Sequence, residues 1–299
     1  MKVNDSILTI GSIALDTIET KDGFRKNILG GSASYFSIAA SYFRQVNVLG
    51  VVGNDFPKEY WDLYKQFQIN TENIEIKPGT TFRWGGKYSD DYNTRETLFT
   101  ELGVFDNYSP IINDSIQNSK LIFLGNIHPD MQMSVINKTS NEQIIILDTM
   151  NLWIDISLDS LKSVIKKTNI FLLNDEEAFL LTNTKNIEDA ALILSNMGPD
   201  IVIIKKGSLG SYILDAKQKL KVNVPAFSID KVVDTTGAGD SFAGGFVGCL
   251  KNNNIIDSVV TGSAIASFTV SAFGVEGLLN ITKAEIEERI KHIKMEIKD

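Results

Sequence analysis

Five short apolar runs, residues 46–52, 121–124, 144–147, 170–173 and 201–204, do most to constrain what this chain can fold into. Apolar residues without strict alternation suit strands covered on both faces, the condition of a parallel sheet. Amphipathic stretches of helix length, such as residues 158–167 and 188–197, lie between the runs. Strands alternating with helices predict an α/β fold, doubly wound around a mainly parallel sheet flanked by helices.

The runs finish in polar or charged residues: Gly53-Asn54-Asp55, Gly125-Asn126, Asp148-Thr149-Met150-Asn151, Asn174-Asp175-Glu176-Glu177 and Lys205-Lys206-Gly207. Any single polar loop is ordinary. Five together favour a cleft, because open α/β sheets bind ligands at the carboxyl ends of their strands. Residues 7–20 and 80–102 break the rhythm. They alternate without helices between them and read as antiparallel strands.

Asp234-Thr235-Thr236-Gly237-Ala238-Gly239-Asp240-Ser241-Phe242 carries the chemistry. Small residues let the backbone approach a ligand and expose successive N–H groups. A helix beginning after Gly237 would present unpaired N–H groups and the positive end of its dipole, a site for an anion. Asp240 would repel that anion, so its place in the same turn needs a reason. A general base beside a transferring phosphoryl group is one; a helix cap is the plainer alternative.

The nine-residue string closely resembles the second signature of the PfkB/ribokinase family of carbohydrate kinases, which act on sugars and nucleosides. It matches at Asp234, the small triplet, Asp240 and the pair Gly244-Gly245. Leu29-Gly30-Gly31-Ser32-Ala33 resembles that family's amino-terminal di-glycine turn. Gly50-Val51-Val52-Gly53-Asn54-Asp55 resembles its G-x-x-G-x-D, and Asn174-Asp175-Glu176-Glu177 its N-x-x-E. The pieces fall in the family's order over nearly the whole chain.

The resemblance implies one ribokinase-like kinase domain over residues 1–299, with a small β lid from about 7–28 and 80–102. It implies transfer of the γ-phosphoryl group of ATP to a hydroxyl, primary by expectation, of a sugar or nucleoside. Asp240 would be the base, and the N–H groups of Gly237, Ala238 and Gly239 the anion hole. Asn174 and Glu177 would hold Mg²⁺ and the phosphates through water, against a plain reading as a helix cap with acids in the first turn. Asp234 and the backbone at Thr236 resemble a monovalent-cation loop for K⁺, closed by Gly274. Asp16, Gly30 and Gly31 would meet the acceptor. Tyr35 stands where the family usually has Asn, and reads equally as a stacking residue or as core. Lys205, Gly207 and Ser208 fall where the nucleotide loop begins; a strand-end lysine that merely extends to solvent is the alternative for Lys205. The lid aromatics Phe82, Trp84 and Tyr88 suit a base, lid packing or a homodimer through the lid.

Composition excludes other classes. A formal charge of −8 argues against a nucleic-acid surface. One cysteine, Cys249, rules out an internal disulfide and reads as a buried thiol in an apolar helix. The first residues lack the apolar core of a signal peptide, so a cytoplasmic protein without a membrane partner is expected. No G-x-x-x-x-G-K-[ST] string is present, which disfavours a Walker-type site. A catalytically silent binding protein on a kinase scaffold is the competing class, since fold does not fix function; the retained Asp240 speaks against it. Asp240→Asn is therefore expected to lower turnover by ~10²–10⁴ while nucleotide binding and the melting temperature stay near the parent's. Steady-state rates beside calorimetric ATP binding check this.

Overall fold

The computed structural model describes residues 4–92, 94–112, 119–251 and 254–297. The first three residues and the last two lie outside them.

Nine strands form the main sheet in the order β13-β12-β11-β10-β9-β8-β1-β4-β5. In chain order these are β1 (Asn4–Ile10), β4 (Val46–Gly53), β5 (Asn70–Lys77), β8 (Ser119–Leu124), β9 (Ile144–Leu147), β10 (Ile170–Asn174), β11 (Ile201–Lys205), β12 (Ser211–Asp215) and β13 (Leu220–Val224). Neighbours from β11 to β5 pair in parallel, while β12 pairs antiparallel with both β11 and β13.

Each apolar run is buried on both faces. Leu121 and Phe123 join one core, Ile122 and Leu124 the other; Leu172 and Ile203 divide from Phe171, Leu173, Val202 and Ile204 in the same way. The first core lies under α1 (Ser32–Ser41), α8 (Ala238–Cys249), α9 (Ile255–Thr269) and α10 (Lys283–Glu296). The second lies under α3 (Pro129–Ile136), α5 (Leu158–Ile165), α6 (Asp175–Thr182) and α7 (Ile187–Asn196). α2 (Lys58–Gln66) and the short α4 (Asn151–Ile156) complete the helices of the described chain. Cys249 closes α8 and is half-buried, not enclosed as expected, because the helix ends on it. Among the described residues no helix is long and apolar enough to cross a membrane.

The lid is a separate four-stranded sheet, β3-β2-β6-β7, made from β2 (Ala14–Thr20), β3 (Gly23–Gly30), β6 (Phe82–Tyr88) and β7 (Arg95–Glu101). Two expectations change here. The lid begins at residue 14 and not 7, because Ile7, Leu8 and Ile10 belong to β1 and bury on both faces of the main sheet. The lid strands are not all antiparallel either, since β2 pairs in parallel with β6.

Asp55, at the end of β4, ties lid to sheet. It accepts from the N–H and the hydroxyl of Thr81, both at 2.7 Å, and from Arg83 at 2.6 Å. Those bonds hold its carboxyl below the usual carboxylate range, against the effect of burial.

The chain runs β1, β4, β5 to one side and then returns to β8, β9, β10, β11 on the other. The reversal between β1 and β8 is the switch point at which such sheets open a crevice. Phe36 of α1 stacks on Phe123 of β8 beneath it, centroids 4.0 Å apart and rings 4° from parallel. Phe123→Ala should cost about 3–5 kcal/mol, as removal of a large core ring generally does. Urea unfolding should show that loss as a lower midpoint with an unchanged slope.

Candidate active site

A cleft of about 570 Å³ opens where the switch point predicts. The strand ends supply Asn126, Asp148, Asn174 and Lys205 to its wall, and α8 supplies Gly239 and Asp240. Tyr88, Tyr92 and Arg95 face it from the lid. A larger hollow of about 840 Å³ lies at the opposite, amino ends of the strands, around Lys120, Asn169 and Asp200. Position and chemistry, not size, select the first.

α8 begins at Gly237, whose backbone is left-handed (φ 72°). A carbon added to Gly237 would lie 2.3 Å from the Tyr35 ring, so both the conformation and the contact require glycine. The Ala238 N–H donates to the Thr235 carbonyl over a long 3.3 Å. Those of Gly237 and Gly239 have no protein acceptor among the described residues and are left for a ligand.

Asp240 stands in the first turn of α8, half-buried. Burial and the charge of Asp148 push its carboxyl up to about 7, while Lys205 and Arg95 pull it down. Lys205, at the end of β11, donates to Asp148 Oδ2 at 2.9 Å. Burial lowers the lysine, but Asp148 and Glu177 outweigh that and hold it protonated. The solvent-seeking alternative for Lys205 is thereby excluded: its side chain is only 16% exposed.

Asn174 and Glu177 are first of all a helix cap. Asn174 Oδ1 accepts the Glu177 N–H and Glu177 Oε2 accepts the Asn174 N–H, both at 2.8 Å. Burial and Asp148 raise Glu177 to about 7. The oxygens of Asn174 and Glu177 on this wall suit Mg²⁺ that keeps its waters.

Asp234 is fully buried. Its Oδ1 accepts from Thr236 N at 2.8 Å and its Oδ2 from Gly274 N at 2.9 Å, which ties the turn to the backbone at Gly274. Tyr88 of the lid shares a hydrogen bond of 2.9 Å with the Thr236 hydroxyl, which joins lid to turn. Asp16 lies on β2, 3% exposed and off the cleft wall. Burial and the charge of Asp234 raise it to about 8, with a smaller push from Asp240. Its carboxylate occupies the space a Gly30 side chain would need, 1.9 Å from that position, which explains the first glycine of the pair. Gly31 caps α1.

Of the two readings of Tyr35 the packing supports core: it is 1% exposed, lies against Gly237 and does not line the cleft. Phe82 stacks on Phe105 at 5.6 Å, away from the cleft wall, and Trp84 lies under Arg95 at 5.0 Å. Gly207 and Ser208 form an exposed turn after β11, while Lys206 turns aside to Asn223. The sequence reading put Asp148 at a strand end of the cleft without a role, and it missed Arg95. Asp148 carried a signal, a carboxylate at a strand end, but its partner is 57 residues away.

An acid of raised pKa beside unpaired N–H groups at a helix start suits transfer of an anionic group onto a hydroxyl, the work of a small-molecule kinase. The chain matches the model of the pfkB family carbohydrate kinases over residues 4–281 and belongs to that family. It is a phosphotransferase with an alcohol acceptor. Among its relatives is the cytidine kinase of Thermococcus kodakarensis, 27% identical over 248 residues that cover 81% of this chain and 87% of that one. The nucleoside kinase of Methanocaldococcus jannaschii is 26% identical over 302 residues, covering 96% and 98%. The crystal structure of that nucleoside kinase superposes with a TM-score of 0.80 at 24% identity, covering 98% and 100%. A putative ribokinase II from E. coli, solved with ATP and Mg²⁺, shares the fold with a TM-score of 0.82 at 18% identity, covering 97% and 100%.

If Asp240 is the base, kcat/KM for the acceptor should fall about tenfold per pH unit below pH ~7 and level off above it, since the group works only deprotonated. A pH–rate profile with no acid limb above pH ~5, near an ordinary carboxylate, would assign the base elsewhere.

Proposed function

We propose that this chain transfers the γ-phosphoryl group of ATP to the primary hydroxyl of a nucleoside's ribose. The observation that carries the nucleoside reading is similarity to a cytidine kinase and a nucleoside kinase along most of all three chains. Two lid tyrosines, Tyr88 and Tyr92, among the lining of the cleft support it, because bases pack against aromatic rings. Asp240 takes the hydroxyl proton, and the N–H groups of Gly237 and Gly239 hold the charge that develops on the phosphoryl oxygens. Ala238 belongs to the same turn, with its N–H partly engaged. Asn174, Gly207 and Ser208 belong to the nucleotide's side in the same reading.

Glu177 and Asn174 would hold Mg²⁺ through its waters, and the ion would supply charge neutralisation there. K⁺ at Asp234 and Thr236 belongs to the same reading, as do Asp16 and the Gly30-Gly31 turn on the acceptor's side. A homodimer through the lid is favoured by β7, an exposed edge strand.

A free sugar is the second reading, favoured by the polar wall of Asn126, Thr149 and Asn151. Release of ADP measured across nucleosides, ribose and hexoses decides between them. The nucleoside reading expects kcat/KM for at least one nucleoside to exceed that for ribose by about tenfold or more, the worth of roughly 1.4 kcal/mol of base contact. Turnover of ribose alone would overturn it.

A further inference from the structure

Lys205 stands in an unusual place for a strand-end lysine. A carbon added to Gly239, the residue before the candidate base, would lie 3.2 Å from its Nζ. The ammonium therefore sits against the anion turn itself. Asp148, only 6% exposed, takes one of its three N–H donors at 2.9 Å. Among the described residues it has no other hydrogen-bond partner, so two donors remain. Around it stand the carboxyls of Asp148, Glu177 and Asp240. A lysine present only to neutralise Asp148 need not reach as far as Gly239.

We propose that Lys205 is a catalytic residue whose ammonium donates to a non-bridging oxygen of the transferring phosphoryl group, and that Asp148 is the positioning residue that aims it. The proposal rests on the ATP-dependent transfer proposed above. In that step the acceptor's hydroxyl proton passes to Asp240, and its oxygen forms a bond to the γ-phosphorus. The bond from the γ-phosphorus to the β–γ bridging oxygen breaks, and ADP leaves with the electron pair. Lys205 stays protonated throughout. It offers a fixed charge where negative charge is spread over the equatorial oxygens. The planar backbone N–H groups of Gly237 and Gly239 approach from the turn, and the ammonium approaches from the strand end.

Three variants test this. Lys205→Met should lower kcat by ~10²–10³, as loss of one preorganised donor does. The acceptor's KM should change by less than about threefold, because uniform binding is untouched. Lys205→Arg, which keeps the charge, should regain about tenfold or more over Met. Asp148→Asn should lower kcat and also move the acid limb of the pH–rate profile to lower pH, because the Asp148 charge raises Asp240; loss of packing alone gives no such movement. The deciding variant is the double substitution Lys205→Met with Asp148→Asn. It leaves neither charge buried without a partner, so it folds even where Lys205→Met does not, and it should stay as slow as Lys205→Met.

Recovery of the double variant to within about threefold of the parent would show that Lys205 only neutralises Asp148, and would overturn the proposal. So would a folded Lys205→Met that is that active. Should the parent phosphorylate neither nucleosides nor sugars, the transfer reading fails by itself. Lys205 is then read by calorimetry. The parent should prefer a non-hydrolysable ATP analogue to ADP, and the double variant should lose about tenfold of that preference, the worth of one charge-assisted contact. An unchanged ratio contradicts the role.

Discussion

The ring of Tyr35 lies directly beneath Gly237, and the geometry of the cleft depends on that contact. It sets how low the turn can sit on α1, and so where α8 begins. α8 then carries Asp240 and the unpaired N–H groups together as one rigid unit. The ring is held in the main core with Phe36, Phe242 and Phe246. Among the described residues its buried hydroxyl has no hydrogen-bond partner. That is a cost the fold accepts, since a buried polar atom left unpaired is destabilising. An asparagine at position 35 would not fill the space under the turn.

Electrostatics completes what packing begins. Asp148, Glu177 and Asp240 share one small wall, and burial together with mutual repulsion raises the last two to about 7. Asp16, on the lid strand β2, is raised further. Such an arrangement keeps carboxyls close to the point of gaining or losing a proton near neutrality, which is what a general base requires. Lys205 from the strands and Arg95 from the lid oppose the effect from two sides. The lid is not a loose flap, since Asp55 fixes its root through Thr81 and Arg83, and Tyr88 reaches Thr236 at its tip.

Much of this was legible in the sequence, for physical reasons. Strands buried on both faces must be apolar at nearly every position, so β4 and β8 to β11 declared themselves. The turn at Gly237 was legible because only small residues let a backbone come so close to a ligand. β1 was not, because Ser6, Thr9 and its neighbours mimic the alternation of a half-exposed strand, although Ser6 and Thr9 are buried. The hairpin of β12 and β13 was missed because its residues mix charge with apolar groups at the sheet's edge. Tyr35 could not be placed without knowing what lay above it. The Asp148–Lys205 pair, joined only by the folding of β9 beside β10 and β11, leaves no local trace.

The central claim is that acceptor and nucleotide meet at Asp240 under the lid. A crystal structure with ADP, Mg²⁺ and a nucleoside tests it most directly. The account predicts the ribose primary hydroxyl within about 2.6–3.2 Å of an Asp240 oxygen, the reach of a general base. It also predicts the ADP phosphates directed toward the Gly237–Gly239 turn and Lys205. A nucleoside bound with that hydroxyl turned away from Asp240, or a nucleotide seated in the hollow at the strands' amino ends, would contradict it.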